Sequence, residues 1–564
     1  MCGIWAYLLH NKIDFEYNVI FNNFMNLSGR GPDSLNFEFY KNKYMTGFHR
    51  LSIMDTSYKG SQPFEYYDNE TDIKYTCICN GEIYNAALIK RQFEKNEFNF
   101  MSSSDCEVLI PLYIKYKENM VNHLDGEFSI ILIEECGDNI KYYIVRDRIG
   151  IRPLYIGKDK SNNFIFSSEL KGMKDLAIES QQFKPGTYKT ITYTDGQYNE
   201  TSNTYYDINV YLNHPITFDY NTNSILLNIK NILIKTVTKR LISDRPVCAL
   251  LSGGLDSSLV CSIASKILKG YGKKLYTFSI GIPGSTDNIY AQKVAEYIGS
   301  EHTVVTISQN DAIVALKKVI WATETYDITT IRASTGQYLI SKYIADNTDF
   351  KVVLSGDGSD EVTSGYLENF LAPNVDELHK HAIKRIDEIH YYDVLRADRA
   401  TSLHGLELRV PFLDVEFINY YLNIDPKLRQ PDNNKCEKYL LRQAFKDDYL
   451  PEEVLWRQKE AFSDGISSQE NSWHSIIKSV CDELITDEEL ETANIKYDYC
   501  TPKTKESYYF RHIFTELYGN SFNNIIPGFW MPKWSTTTDP SARSMEVYSK
   551  SNELPSNITI PFNQ

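Results

Sequence analysis

Residues 246–268, PVCALLSGGLDSSLVCSIASKIL, constrain the fold of this 564-residue chain more than any other stretch. The apolar run has the length of a buried strand, SGGLDSS breaks it, and Leu259, Ile263 and Ile267 then recur on one helical face. The pattern returns at 350–362, where FKVVL runs into SGDGSDEV, and KLYTFSIGI at 274–282 reads as a further buried strand. Strand, glycine loop and helix in succession predict a doubly wound parallel α/β sheet, whose ligands sit beyond the carboxyl ends of its strands. Residues from about 375 to 520 read as mostly helical and are expected to cover that edge.

The loops themselves imply chemistry. In the first, the glycines let the backbone turn sharply and approach a ligand. Ser252, Ser257 and the amides that open the helix offer donors to an anion such as pyrophosphate. Asp256 would repel that anion unless a cation came between, so the loop implies Mg²⁺ bridging carboxylate and phosphate. The spacing is not GxxxxGK[ST], which excludes a Walker loop. A plain turn would explain the glycines but not the serines and the aspartate. In the second loop Asp357, Asp360 and Glu361 are cation ligands, an acid–base set, or a solvated turn.

Residues 1 to about 205 read differently. KYTCIC, GEFSIILIEE, IKYYIVRD and NFIFSSEL are aromatic- and β-branched-rich runs separated by turns, which predicts two packed sheets with helices outside. A helix is expected after NGEIYN, with Ala87, Leu88, Ile89 and Phe93 as its apolar stripe, and Cys77 and Cys79 are expected to alternate across a strand. The boundary between the two patterns falls near residue 210. Cys2 stands directly behind Met1. It is either a packed small hydrophobe or, once the methionine is trimmed, a nucleophile whose own α-amine (unperturbed pKa ~7.7–8.0) takes its proton.

A formal net charge of −15 without a long acidic run argues against a nucleic-acid or anionic-membrane surface. No stretch approaches eighteen apolar residues and the start lacks a signal-peptide pattern, so neither a membrane partner nor export is expected. The ten cysteines form no CxxC pair, which fits thiols in a reducing, cytoplasmic setting.

SGGLDSS and SGDGSDE resemble the signature loops of the N-type ATP pyrophosphatase domain of the glutamine-hydrolysing asparagine synthetase family. MCGIWA, RGPD, HRLSIMD, NGEIYN, SSDCEV, DGEFS and RDRIGIRPLY resemble, in the same order, its class II glutamine amidotransferase domain. ETYDITTIRAST, ELRVPFLD, WRQKEAFSDG and WMPKWSTTTDPSAR extend the resemblance almost to the end. It implies an α+β and α/β architecture: an N-terminal Ntn-type αββα sandwich over 2–205, a doubly wound parallel synthetase domain with helical additions over 210–545, and a loose tail at 546–564. The implied reaction hydrolyses glutamine to glutamate and ammonia. It converts aspartate and ATP, through β-aspartyl-AMP, to asparagine, AMP and pyrophosphate.

The same resemblance implies residue roles. Cys2 attacks the glutamine amide. Asn80 and the Gly81 amide form the oxyanion hole, while Arg50, Glu82, Asp105 and the backbone of Leu51, Ser52, Ile53 and Met54 hold the substrate's charged end. Arg30 organises the loop at the pocket mouth. Leu251 and Ile280 flank the nucleoside, Ser252, Gly253, Gly254 and Ser257 bind pyrophosphate, Ser355 and Gly356 contact AMP, and Asp256 with Asp360 holds Mg²⁺. Lys459 sets a positive charge against the phosphate, and Arg332 either neutralises phosphate or aspartate or makes a structural ion pair. Asp357 stands where the family often has Glu, one methylene short in the role of proton acceptor. A homodimer and an apolar ammonia passage between the domains are also implied.

Two other readings carry the same loops: a related ligase that spends the adenylate on another product, such as a β-lactam, and a catalytically silent relative. The first branch lacks the N-terminal thiol, and a silent relative has no reason to keep Cys2, Asp256 and Lys459, all present here.

Overall fold

The computed structural model describes the whole chain except residues 12, 14, 41–42, 94–97, 195–196, 213–220, 433–434, 461–464, 466, 468–471, 538 and 541–564. The tail expected at 546–564 and parts of WRQKEAFSDG and WMPKWSTTTDPSAR therefore lie outside the described residues.

The strands in chain order are β1 (Gly3–Leu8), β2 (Ser34–Tyr40), β3 (Tyr44–Arg50), β4 (Phe64–Asp68), β5 (Ile73–Ile83), β6 (Gly126–Cys136), β7 (Asn139–Arg146), β8 (Tyr155–Lys158), β9 (Phe164–Ser167), β10 (Glu179–Gln182), β11 (Thr187–Thr194) and β12 (Gln197–Thr204). They form two six-stranded sheets, β10-β8-β9-β1-β3-β2 and β12-β11-β7-β6-β5-β4, whose named pairs are antiparallel. Ile4, Ala6 and Leu8 of β1 point at Ile131, Ile133 and Ile144 of the facing sheet, while Trp5 and Tyr7 point outward to Ile20, Phe24 and Leu27. All six residues of β1 are buried because both of its faces are covered. Helices Ala86–Phe93 and Leu109–Tyr116 cover the outer face of the second sheet. The order is thus helix, sheet, sheet, helix, the expected sandwich.

Two local expectations are corrected. In helix Ala86–Phe93 the buried side chains are Ala86, Ile89 and Phe93, three and four apart; Ala87 is exposed and Leu88 is 59% exposed, one step round from the stripe. Cys77 and Cys79, two apart, lie on one face of β5 against the helices, and Ile78 takes the inter-sheet face.

The third sheet holds β13 (Val247–Leu250), β14 (Tyr276–Gly281), β15 (Glu301–Thr306), β16 (Val352–Leu354) and β17 (Glu407–Arg409) in the order β15-β14-β13-β16-β17, every pair parallel. The chain runs outward from β13 on one side and returns to β16 on the other, so the order reverses between β13 and β16. That reversal opens a crevice beyond their carboxyl ends. Helices do dominate residues 375–520, but β17 rises from within them as an unforeseen fifth strand. All ten cysteines are free thiols. No helix among the described residues is long and apolar enough to cross a membrane.

Candidate active sites

The first candidate site gathers where β1 begins and β3 and β5 end. Cys2 Sγ lies 3.5 Å from the Leu51 amide and 3.6 Å from the Leu51 carbonyl, just past β3. Asn80 and Gly81 oppose Ser129 and Phe128 across the β5–β6 ladder. The register demands the glycine, since a Cβ at Gly81 would stand 2.2 Å from the Glu127 carbonyl oxygen. Asn80 is fully buried, yet neither its Oδ1 nor its Nδ2 finds a partner among the described residues. Buried amides are almost always satisfied, which makes this one a candidate for contact with a ligand atom.

The residues expected around the glutamine are engaged in ways the sequence does not announce. Arg50 donates from Nη1 to the Ser57 carbonyl at 2.6 Å and from Nη2 to the Asp55 carbonyl, so its fork shapes the following loop. Glu82 pairs at 3.2 Å with Arg409, which reaches across from β17. Asp105 accepts from the Ile83 amide at 2.7 Å, and burial raises its carboxyl above the usual range. Ser52 gives its amide to Asp33 at 2.8 Å. The side chains of Leu51, Ile53 and Met54 pack with Cys2 against Val247 and Val352, joining the thiol to the start of the parallel sheet through apolar surface. Met1 is 1% exposed, and its amine donates to the Leu406 carbonyl at 3.2 Å. With Met1 in place, burial pushes the thiol up to about 11 and the amine down to about 5. A thiol so shifted is almost wholly protonated at neutral pH.

The second candidate site is a cavity of about 210 Å³ at the β13–β16 crevice. Leu251, Ser252, Gly254, Asp256, Ser257, Ile280, Ser355, Gly356, Asp357, Asp360, Arg332 and Lys459 all line it; Gly253 does not, its left-handed turn (φ +73°) packing instead against Tyr290 and Ala291. Ser257 Oγ accepts from the Ser252 amide at 3.1 Å and lies 3.0 Å from Ser252 Oγ, which closes the first loop over the amino end of helix Leu255–Gly270. The second loop leans on the first where a Cβ at Gly356 would come 2.5 Å from the Ser257 nitrogen. Only glycine permits that approach.

Two lysines and two aspartates close the far side. Lys438 Nζ lies 2.5 Å from Asp256 and 2.6 Å from Asp360, and Lys459 Nζ lies 2.6 Å from the other oxygen of Asp360 and 3.9 Å from Asp256. These ammonium groups hold Asp360 well below the usual carboxylate range, and the two aspartates raise Lys459. Asp256 and Asp360, bridged by Lys438, bring two hard oxygen donors to one edge of the cavity. That donor set fits Mg²⁺. The neighbouring acids differ: Glu361 is pushed far up by burial and accepts from the Tyr366 hydroxyl. Asp357 accepts from Ser355 Oγ at 2.5 Å and pairs with Arg396 at 2.8 Å. Arg332 is held by Glu506 at 2.6 Å and Asp539 at 2.8 Å, the ion-pair alternative.

A family model described as asparagine synthase matches residues 228–384 and 368–536, and one described as glutamine amidotransferase domain matches 1–223. The chain is 40% identical over 578 residues to "Asparagine synthetase [glutamine-hydrolyzing]" of Gallus gallus, covering 97% of this chain and 99% of that one. The chain belongs to the glutamine-hydrolysing asparagine synthetase family. The Homo sapiens member is likewise 40% identical with the same coverage, and a probable member from Acanthamoeba polyphaga mimivirus is 38% identical, covering 97% and 100%.

Several residues at the two sites escape a reading of motifs. Lys438 sits in the left-handed region (φ +58°) at the head of helix Tyr439–Ala444, and nothing in KCEKYLLR distinguishes it from a surface lysine. Arg396 lies outside the quoted motifs, and Arg409, though within ELRVPFLD, shows no sign in sequence of its partner Glu82; both reach the sites only through the fold.

Proposed function

We propose that this protein makes asparagine from aspartate, ATP and glutamine, with Cys2 releasing ammonia in residues 2–205 and the β13–β16 crevice activating aspartate in residues 210–545. One observation carries the reading: a single chain holds a thiol at the start of β1, a buried asparagine on β5 with no partner among the described residues and, in a second half, two glycine loops meeting around a carboxylate–lysine quartet.

Removal of Met1 gives Cys2 the free α-amine that takes the thiol proton and later returns it to the leaving ammonia. The thiolate attacks the glutamine amide; negative charge collects on the amide oxygen, where Asn80 Nδ2 and the Gly81 amide stand ready. Water then releases glutamate from Cys2. Arg50, Glu82 and Asp105 surround the substrate's charged end, with Arg50 fixing the loop that contacts it.

In the second half the β-carboxylate of aspartate attacks the α-phosphorus of ATP and pyrophosphate departs. A carboxylate is a poor electrophile, and adenylation gives it a good leaving group. Ser252, Ser257 and the helix amides hold the pyrophosphate, and Leu251 with Ile280 flanks the nucleoside. Lys438 and Lys459 offset charge as the bond to pyrophosphate breaks. Asp256 and Asp360 would hold Mg²⁺, which supplies further neutralisation of the phosphates. Ammonia attacks the acyl carbon, AMP leaves, and Asp357 is the nearby acceptor for the released proton, its approach set by Arg396. The apolar contact from Cys2 through Leu51 and Ile53 to Val247 and Val352 supports transfer of neutral ammonia between the halves. A cytoplasmic location and a homodimer belong to the same reading.

The test is mass analysis of asparagine made with glutamine labelled at its amide nitrogen. Label in asparagine together with AMP and pyrophosphate supports the assignment. Pyrophosphate release that needs no aspartate would point to the other-product ligase.

A further inference from the structure

A nucleophile on the first residue of a chain lacks the preceding peptide that would normally steady it. Its fixed points are its own carbonyl and the strand that follows. Here the Cys2 carbonyl accepts from Arg30 Nε at 2.8 Å. The other end of that guanidinium is clasped from the synthetase half: Nη1 reaches Asp398 Oδ2 at 2.7 Å and Ser402 Oγ at 3.0 Å, and Nη2 reaches Asp398 Oδ1 at 3.2 Å. Glu169 of the glutaminase half takes Nη1 at 2.6 Å. All four of these side chains are buried.

Asp398 and Ser402 ride on helix Asp393–Ser402. Residues two apart on a helix lie roughly 200° round its axis. Arg396 therefore projects from the opposite side, where it meets Asp357 at 2.8 Å and Gln337 at 2.9 Å beside the second cavity. One short helix thus touches both sites. We propose that Asp398 is the positioning residue for the glutaminase nucleophile, orienting Arg30 so that Arg30 fixes the Cys2 main chain, and with it the thiol beside Leu51. This rests on the glutaminase half of the function proposed above. A two-pronged carboxylate is suited to the task because it sets the plane of the guanidinium as well as its place. Arg399 at 2.8 Å and Arg152 at 3.9 Å complete the charge around Asp398, so its carboxylate balances more than Arg30 alone.

The test uses the full chain with Met1 removed and compares wild type with Asp398→Asn and Ser402→Ala. Glutamate release gives kcat and KM for glutamine, and asparagine formed from ammonium, aspartate and ATP reports on the second site. Asp398→Asn is expected to lower glutaminase kcat about 10-fold or more, KM and the ammonia-dependent rate staying within about twofold, because misplacing a reacting group acts on kcat. Ser402→Ala, which removes one neutral bond, is expected to lower kcat several-fold with the same split; if Asp398→Asn does not fold, this variant decides alone. Unchanged glutaminase kcat overturns the proposal, as does an equal fall of both activities. Should the wild type make no asparagine from either nitrogen source, the synthetase reading fails while glutamate release still judges Asp398.

Discussion

Replacing Gly356 with alanine tests whether the two phosphate loops work as one surface. The new Cβ would stand 2.5 Å from the Ser257 nitrogen, 2.8 Å from the Asp256 carbonyl carbon and 3.0 Å from Asp256 Cβ. Two of these three atoms are backbone and cannot swing aside. Non-bonded carbon contacts settle at about 3.5–4.0 Å, so the loops must part by about 1 Å. A misplacement of that size costs on the order of 10²-fold in rate, about 2.7 kcal/mol of barrier. The assay is aspartate-dependent pyrophosphate release with ammonium as nitrogen donor, alongside glutamate release at Cys2 and a melting temperature as checks of the fold. A variant with intact glutaminase and a wild-type pyrophosphate rate would refute the idea that the contact between Gly356 and Ser257 sets the phosphate cradle.

Other outcomes follow from the same geometry. Cys2→Ala should abolish glutamine-dependent synthesis and leave synthesis from ammonium intact, read by product analysis with each nitrogen source. Asn80→Ala should lower glutaminase kcat about 10²- to 10³-fold, the worth of an oxyanion donor, without lowering the melting temperature, since the amide it removes has no partner among the described residues. Lys438→Met should slow pyrophosphate release at least tenfold while glutamate release persists, because Asp256 and Asp360 would then face Lys459 alone. In the chain that keeps Met1 the thiol sits near 11, so thiolate is scarce at neutral pH and grows as pH rises. Alkylation of Cys2 by iodoacetamide, followed by mass spectrometry, should therefore be slow at pH 7 and climb toward pH 11.

Much of the architecture was legible because its signals are local. A strand that must turn at once into a helix needs glycine, so SGGLDSS and SGDGSDE declare themselves as the turns that follow β13 and β16. The sandwich was legible from runs such as GEFSIILIEE, where β-branched residues crowd together between turns. What stayed hidden depends on distance along the chain. β17 is three residues long, too short for alternation to register, yet Arg409 uses its carbonyl to accept from Ser355 and its side chain to hold Glu82. Lys438, Arg396 and Asp398 belong to residue types that face water by default, and only the fold makes them interior. Motif resemblance named Arg50 and Glu82 for the glutamine but not the bonds to Asp55, Ser57 and Arg409 that engage them.

The burial of Met1 sets a schedule. Its amine is tucked against Leu406, some four hundred residues downstream, so a folded molecule offers no peptidase a grip on its first bond. On the function proposed above, trimming has to come before Leu406 packs over the amino terminus, and folding that outruns it would leave Cys2 without a free amine.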